Sequence, residues 1–417
     1  MKNDTKIYIV GAGLSGLVAA LELENAGFNP VILEGSDGVG GRVRTDKEDG
    51  FLFDRGFQVL LTAYPEAKKY LDYEALKLKK FEPGALILQP GNAYSIGDPL
   101  RNPAQLPGML FSPVGNLSDK FKMYQLTKKL QKITLEEIFE EPSQTTLEFL
   151  KDFGFSDQII GNFFRPFFRG IFLETKLETS SRMFKFVFKL FSEGHAAVPE
   201  MGMQAIPDQL ASKLKKTEIR LNTPVQRIEG KNIFLYSGEQ IEADKIIIAG
   251  RPDRILSQME GQIKPFRKVV NLYFSMEKSF IGSPKIALVT DDNFLINNLV
   301  FMTDVSKAYS SNGKALLSVS VVKDVPVNEQ LAKKVAIELE ALTKIAAEHF
   351  HLLKIYEIVE SLPQVEDISH HMDATHAKIY DHVFLAGDYL LNGSINAAMT
   401  SGRKAAEALI LSTQSVI

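Results

Sequence analysis

IYIVGAGLSGLVAALELENAGFNPVILEGSDGVGGRVRT, residues 7–45, decides the architecture. Ile7 to Val10 is a short apolar, β-branched run suited to a buried parallel strand, and Leu14 to Asn25 carries apolar residues at helical spacing. Gly-Ala-Gly-Leu-Ser-Gly joins them. In such a unit Gly11 makes the tight turn, Gly13 lets backbone approach a pyrophosphate, and Gly16 lets helix and strand pack closely. The phosphates then lie on the unpaired N–H groups at the positive end of the helix, where Ser15 is expected to add a hydroxyl. Phe28 to Leu33 predicts the next strand, and Glu34 follows it, 23 positions after Gly11. An acid near this spacing accepts hydrogen bonds from an adenosine ribose. A glutamate here favours a free ribose hydroxyl, hence NAD or FAD over NADP.

Gly40-Gly41-Arg42 follows, two glycines for close backbone approach and an arginine whose forked donors suit phosphate. At this point the sequence resembles flavoproteins of the flavin-containing amine oxidase and phytoene desaturase type, which begin GxGxxG, then Glu, then GGR or GGK. The resemblance implies FAD, with Arg42 beside its pyrophosphate. It continues through GFLFDRGFQVLLTAYPEAKKYL, residues 50–71, where Arg55, Gly56, Phe57 and Gln58 are implied to lie near the flavin. It returns in VFLAGDYLLNGSINAAMTSGRKAAEAL, residues 383–409, which is similar to the second FAD signature of that superfamily. There Gly387 turns the chain, Asp388 is implied to bond the ribityl or pyrophosphate part, and backbone near Ser394, Ile395, Asn396 and Ala397 is implied to face the flavin.

Composition bounds what else the chain does. At 417 residues it exceeds one ordinary core, and 45% hydrophobic with 24% charged residues describes a folded domain pair. A net charge of −3 without a basic, aromatic-rich run argues against nucleic acid as partner. The absence of cysteine excludes disulfides, thiolate metal sites and a flavin tethered through cysteine. Lys2, Asp4 and Lys6 lead directly into the first strand without a secretory pattern, so the expected location is cytoplasmic, with peripheral membrane contact as a further expectation. His370, His371 and His376 match no ligand spacing, and no metal is expected.

The interior predicts how two domains interleave. Residues 217–252 alternate strands and turns, and by resemblance Val225 bonds adenine through its backbone. The expected fold is α/β: a Rossmann-like FAD-binding domain from 1–75, 205–260 and 365–417, with an inserted α+β substrate domain from 76–204 and 261–364. The insertions predict a hairpin around Pro90-Gly91, helices over 117–152 broken near Thr134 and Pro142, and antiparallel strands at 269–274, 286–289, 294–302 and 315–322. A helix is expected over 328–350, with His349 and His351 finishing it on a solvated face. A sheet floor with a helical cover would enclose a pocket over the flavin.

Nine of the 28 phenylalanines fall between Phe163 and Phe191. Helical spacing puts Phe184, Val187, Phe188 and Phe191 on one face and two lysines, Lys185 and Lys189, on another, expected to be solvated. Two readings stand: a domain core, or an apolar substrate tunnel or membrane-docking surface. Desaturation-like hydride transfer from a C–C or C–N bond of an apolar or amphipathic small molecule is the expected activity. Flavin chemistry needs few obligatory side chains, so only Arg55, Gln58 and Asn271 are catalytic candidates. Asn271 stands where amine oxidases of this type often carry a lysine, with Lys268 three residues earlier, and Ser394 stands where they carry an aromatic cage residue. SEGHAAVPEMGMQAIPDQLA, residues 192–211, resembles desaturases instead. Amine oxidation with peroxide release, flavin-assisted isomerisation, and a cofactor-free prenyl or lipid carrier of the same fold are the alternatives.

Overall fold

A computed structural model describes residues 5–97 and 114–414. Ile7–Val10 hydrogen-bonds in parallel to Val31–Leu33 on one side and Lys245–Ile248 on the other. Glu218–Arg220 and Val383–Leu385 extend the parallel array, and Lys378–Tyr380 closes it as an antiparallel edge. This six-stranded sheet therefore draws strands from three separated parts of the chain. Strands buried on both faces need apolar residues throughout, which Ile246, Ile247 and Ile248 supply.

Two helices cover one face. Leu14–Asn25 is rich in leucine and alanine and buried almost all round. It ends in a Schellman turn: Gly27, at φ +91°, donates to Glu24 O, and Phe28 N donates back to Leu23 O. Glu24 then accepts the N–H groups of Lys215, Lys216 and Thr217, docking the chain that leads into Glu218–Arg220. The long last helix, Ile395–Gln414, crosses Leu14–Asn25 so closely that a Cβ on Gly402 would lie 2.1 Å from Ser15 O.

The second sheet has seven strands, in the order His351–Pro363, Phe266–Met276, Ala315–Val321, Ile296–Phe301, Ala287–Val289, Gly84–Gln89, Asn92–Gly97. Val270, Leu272, Phe274 and Met276 alternate onto one face and pack with Leu331, Val335, Leu339 and Leu342 of helix Glu329–Thr343. The other face carries Asn271 and Tyr273 toward the nucleotide side.

The structure corrects several expectations. Ala287–Val289 pairs in parallel with Gly84–Gln89, so the sheet is mixed rather than antiparallel. The helix expected to reach 350 stops at Thr343, where Lys344 turns left-handed at φ +64°. His351 does not finish that helix: it begins a 13-residue edge strand. Lys185 and Lys189 are buried, not solvated, because helices Leu117–Lys132 and Leu135–Glu140 pack over helix Ser181–Glu193. Lys185 pairs with Glu141 and lies 4.2 Å from the Phe149 ring centroid; Lys189 donates to Leu130 O at 2.9 Å and to Glu193. The lysines thus pin helices Leu117–Lys132 and Leu135–Glu140 to the phenylalanine cluster. Phe164, Phe168, Phe172, Phe184 and Phe186 are core residues, so this stretch is no membrane-docking surface. Among the described residues no helix is long and apolar enough to cross a membrane.

Candidate functional site

At the carboxyl ends of the first two strands the glycine turns cross. Gly11 holds φ +106° and donates to Leu33 O, and a Cβ on Gly16 would meet Gly11 O at 2.0 Å. Both positions need glycine for the fold itself. Gly13 differs: its φ is −68°, and none of the described residues comes within 4 Å of where a Cβ would stand. Its missing side chain leaves space in a cavity of about 510 Å³ that Gly11, Gly13, Ser15, Glu34, Gly40, Gly41 and Arg42 all line. Gly40 N donates to Ala12 O, and Gly41 comes close enough that its Cβ would sit 3.3 Å from Gly13 Cα.

Glu34 shapes this mouth. Its carboxylate accepts Ala12 N–H at 2.7 Å and Ser36 N–H at 2.8 Å, fixing it at the end of Val31–Leu33. Further in, Arg42 forms an ion pair with Asp388, joining the two glycine-rich ends of the chain across 346 positions. Arg42 also donates to Ser361 O at 3.1 Å and stands 5.5 Å from the Phe266 ring centroid; Arg251 lies 4.9 Å from the same ring. Arg251 is bonded to Asp253 and Glu360, and with Arg55 makes a third cation in the cavity wall. Such a concentration of arginine beside backbone N–H groups suits a pyrophosphate.

Residues 55–58 reach the cavity because their flanks are tied down. Arg55 grips Asp46 through two nitrogens, at 2.8 and 3.0 Å, and Tyr356 donates to the same carboxylate at 2.6 Å. The Arg55 hydrogen bond holds the Asp46 carboxyl below its ordinary pKa despite partial burial. Asp54 is fully buried, and that burial pushes its carboxyl up even though Thr45, Tyr309 and Met203 N donate to it. Gln58 donates from Nε2 to Arg42 O at 2.8 Å, while among the described residues its buried Oε1 has no partner and the buried Tyr389 hydroxyl, in the same wall, has none either. An open cradle at Gly13, three arginines and two unsatisfied polar atoms fit a large polar cofactor with a hydrogen-bonding head.

Gly56, Phe57, Gly387, Asp388, Ser394 and Ile395 also line this cavity. Five expected site residues lie outside its wall. Gly16 packs helix on strand, and Val225 begins the small sheet with Asn232–Leu235. Asn396 is buried and accepts Glu66 N–H, while Ala397 N donates to Ser394 Oγ. Asn271 is buried behind Ser318 and Ser320, hydrogen-bonded to both. Ser320 and Asn298 stand in the wall in its place, 3.4 Å apart, with Phe167, Ile171, Leu173, Phe191 and Leu288 around them. Sequence reading missed Asn298, Ser320 and Arg251. The polar alternation Ser318-Val319-Ser320 was the available signal.

A second chamber, about 600 Å³, shares Val59, Tyr64, Ile171, Phe191, Leu362 and Ser394 with the first. Its interior is mostly apolar, with Phe172, Met183, Val187 and Ile368.

A family model described as flavin containing amine oxidoreductase matches residues 14–410. An L-amino-acid oxidase of Sistrurus catenatus edwardsii is 30% identical over 154 residues, which is 36% of this chain and only 28% of that protein. The 15-cis-phytoene desaturase of Capsicum annuum is 23% identical over 471 residues, spanning 97% of this chain and 78% of that one. An oxidoreductase from Methanosarcina mazei has the same fold, with TM-score 0.71 at 16% identity over 97% of this chain and 100% of that one. The cofactor that family and cavity jointly indicate is FAD. With glycine turns from both ends converging on that cavity, and the family match running almost from end to end, the chain belongs to the flavin containing amine oxidoreductases.

Proposed function

We propose that this protein is an FAD-dependent oxidoreductase taking a hydride from a C–C or C–N bond of an apolar or amphipathic small molecule, in the manner of a desaturase. The observation that carries this reading is the apolar chamber sharing a wall with the cofactor cavity at Ile171, Phe191 and Leu362. Bound FAD supplies the hydride acceptor at N5. In this reading Gly11, Gly13, Ser15 and Glu34 hold the adenosine diphosphate end, and Gly40, Gly41, Arg42 and Asp388 hold the pyrophosphate and ribityl part. Gly56, Phe57, Gln58, Ser394 and Ile395 border the flavin, and Phe167 and Phe191 keep water from the reacting bond. The nucleotide domain comprises about 1–75, 205–260 and 365–417, and the substrate domain the remainder.

Two placements weigh against amine oxidation. Lys268 forms an ion pair with Asp324, and Asn271 lies behind the cavity wall. Membrane contact is proposed at helix Leu117–Lys132. Leu117, Phe121 and Tyr124 are exposed on one stripe, with Lys128, Lys129 and Lys132 in the following turns.

The test is anaerobic mixing of the holoenzyme with polyenes, prenyl compounds and amines while flavin absorbance is followed. Bleaching by an apolar compound is the expected result; bleaching by small polar amines alone would refute the reading.

A further inference from the structure

Strand Phe266–Met276 begins at the partition between the two cavities, and successive side chains of a strand point to opposite faces. Phe266 accordingly turns into the cofactor cavity, between Arg42 and Arg251, and Arg267 turns into the apolar chamber. Arg267 pairs in register with Leu362, which lines both spaces.

Arg267 differs from the other cation of the chamber in having no charged partner in direct contact among the described residues. It is half-buried, donates through Nη1 to Phe172 O and to Thr179 Oγ1, and forms no ion pair among the described residues. Both acceptors are neutral. The chamber's other cation, Lys264, is paired with Glu366. Its remaining acids are also engaged: Glu148 accepts from Thr145, and Glu178 lies 3.8 Å from Lys176. Burial lowers the Arg267 pKa, while Glu174 and Glu178 act on it only at a distance. A half-buried guanidinium whose nearest carboxylate, Glu174, is reached only through the Thr179 hydroxyl carries a desolvation penalty that a directly paired anion would offset.

We propose that the chamber receives an amphipathic monoanion, a carboxylate on an apolar body, with Arg267 as its charge partner and the body directed past Ile171 and Phe191 toward the flavin. This rests on reading the chamber as the substrate's. The three glutamates in its wall disfavour a doubly charged phosphate, and planar carboxylate matches the guanidinium fork. Arg267 binds and orients; it takes no part in the hydride step.

The test uses cis-parinaric acid and its methyl ester, polyenes that fluoresce on entering an apolar cavity, titrated into holoenzyme. The acid is expected to bind at least about tenfold more tightly than the ester, a charge-assisted contribution of ordinary size. Arg267→Gln should bring the acid to the ester's affinity and leave the ester unchanged, and Arg267→Lys should restore part of the preference. Val187→Phe, which fills the chamber, should weaken both probes. Equal affinity of wild type for acid and ester would overturn the proposal even if the glutamine variant did not fold, as would a preference surviving Arg267→Gln. Flavin content is read on the same samples. A colourless protein that still prefers the acid would count against the oxidoreductase reading alone, and a flavin-loaded protein without preference against this proposal alone.

Discussion

Gly13 separates folding from cofactor binding more cleanly than its neighbours. Gly11 needs its positive φ and Gly16 cannot carry a Cβ, so changing either disturbs the turn itself. Gly13 has ordinary backbone and, among the described residues, open space where a Cβ would stand. Gly13→Val should therefore leave the apoprotein's unfolding free energy, measured by urea titration, within about 1 kcal/mol of wild type. It should weaken FAD binding at least tenfold, measured by flavin retained after desalting. A variant that unfolds, or that keeps its flavin, would show that the missing side chain serves something else. These glycines, Glu34, Arg42 and Asp388 were legible in the sequence because a short-range backbone requirement dictates each. Arg251, Asn298, Ser320 and Arg267 were not, because their placement depends on which strands pair, and spacing along the chain does not encode that.

At the scale of elements, the strand Phe51–Asp54 carries the flavin-side segment and is anchored through one buried carboxyl. Asp54 is raised above its unfolded pKa of 3.8, so the native state holds its proton longer than the unfolded chain does. Its contribution is fully present below pH 3.8 and lost as pH rises through the folded pKa. Compared with Asp54→Asn, which has no proton to lose, wild type should gain relative stability as pH is lowered from 7.5 to 4.5. Urea midpoints of both proteins at each pH measure this, and parallel profiles would contradict it. For helix Leu117–Lys132, Leu117→Ser with Phe121→Ser should abolish co-sedimentation with phosphatidylserine vesicles without changing the melting temperature, since both side chains are exposed. Binding should also fall with added salt, each lysine near the surface contributing about 1 kcal/mol. Wild type that never sediments with anionic vesicles would remove the proposed contact. Helical periodicity marked the apolar face of Ser181–Glu193 but said nothing of what covers the opposite one, which is why Lys185 and Lys189 were misplaced. The edge strand His351–Pro363 escaped notice because it is mostly half-exposed and mixes Leu and Ile with Lys and Glu in no clean alternation.

Across the whole molecule, residues near both ends and in the middle meet in one mainly parallel sheet, and the Arg42–Asp388 pair stands in the wall of the cofactor cavity. The inserted segments supply a sheet whose two faces do different work. One is sealed by helix Glu329–Thr343, and the other faces the nucleotide side. The fold class was readable because GxGxxG, the following acid and the closing Gly-Asp turn are all positions where ligand and backbone constrain sequence together. The substrate was not, because an apolar cavity is built from the same phenylalanines and leucines as a core. The most direct test of the account is the visible spectrum of the purified protein, followed by denaturation and identification of what is released. Flavin bands with FAD released in equal amount to the chain are predicted; a colourless protein that also fails to take up added FAD would contradict the account at its centre.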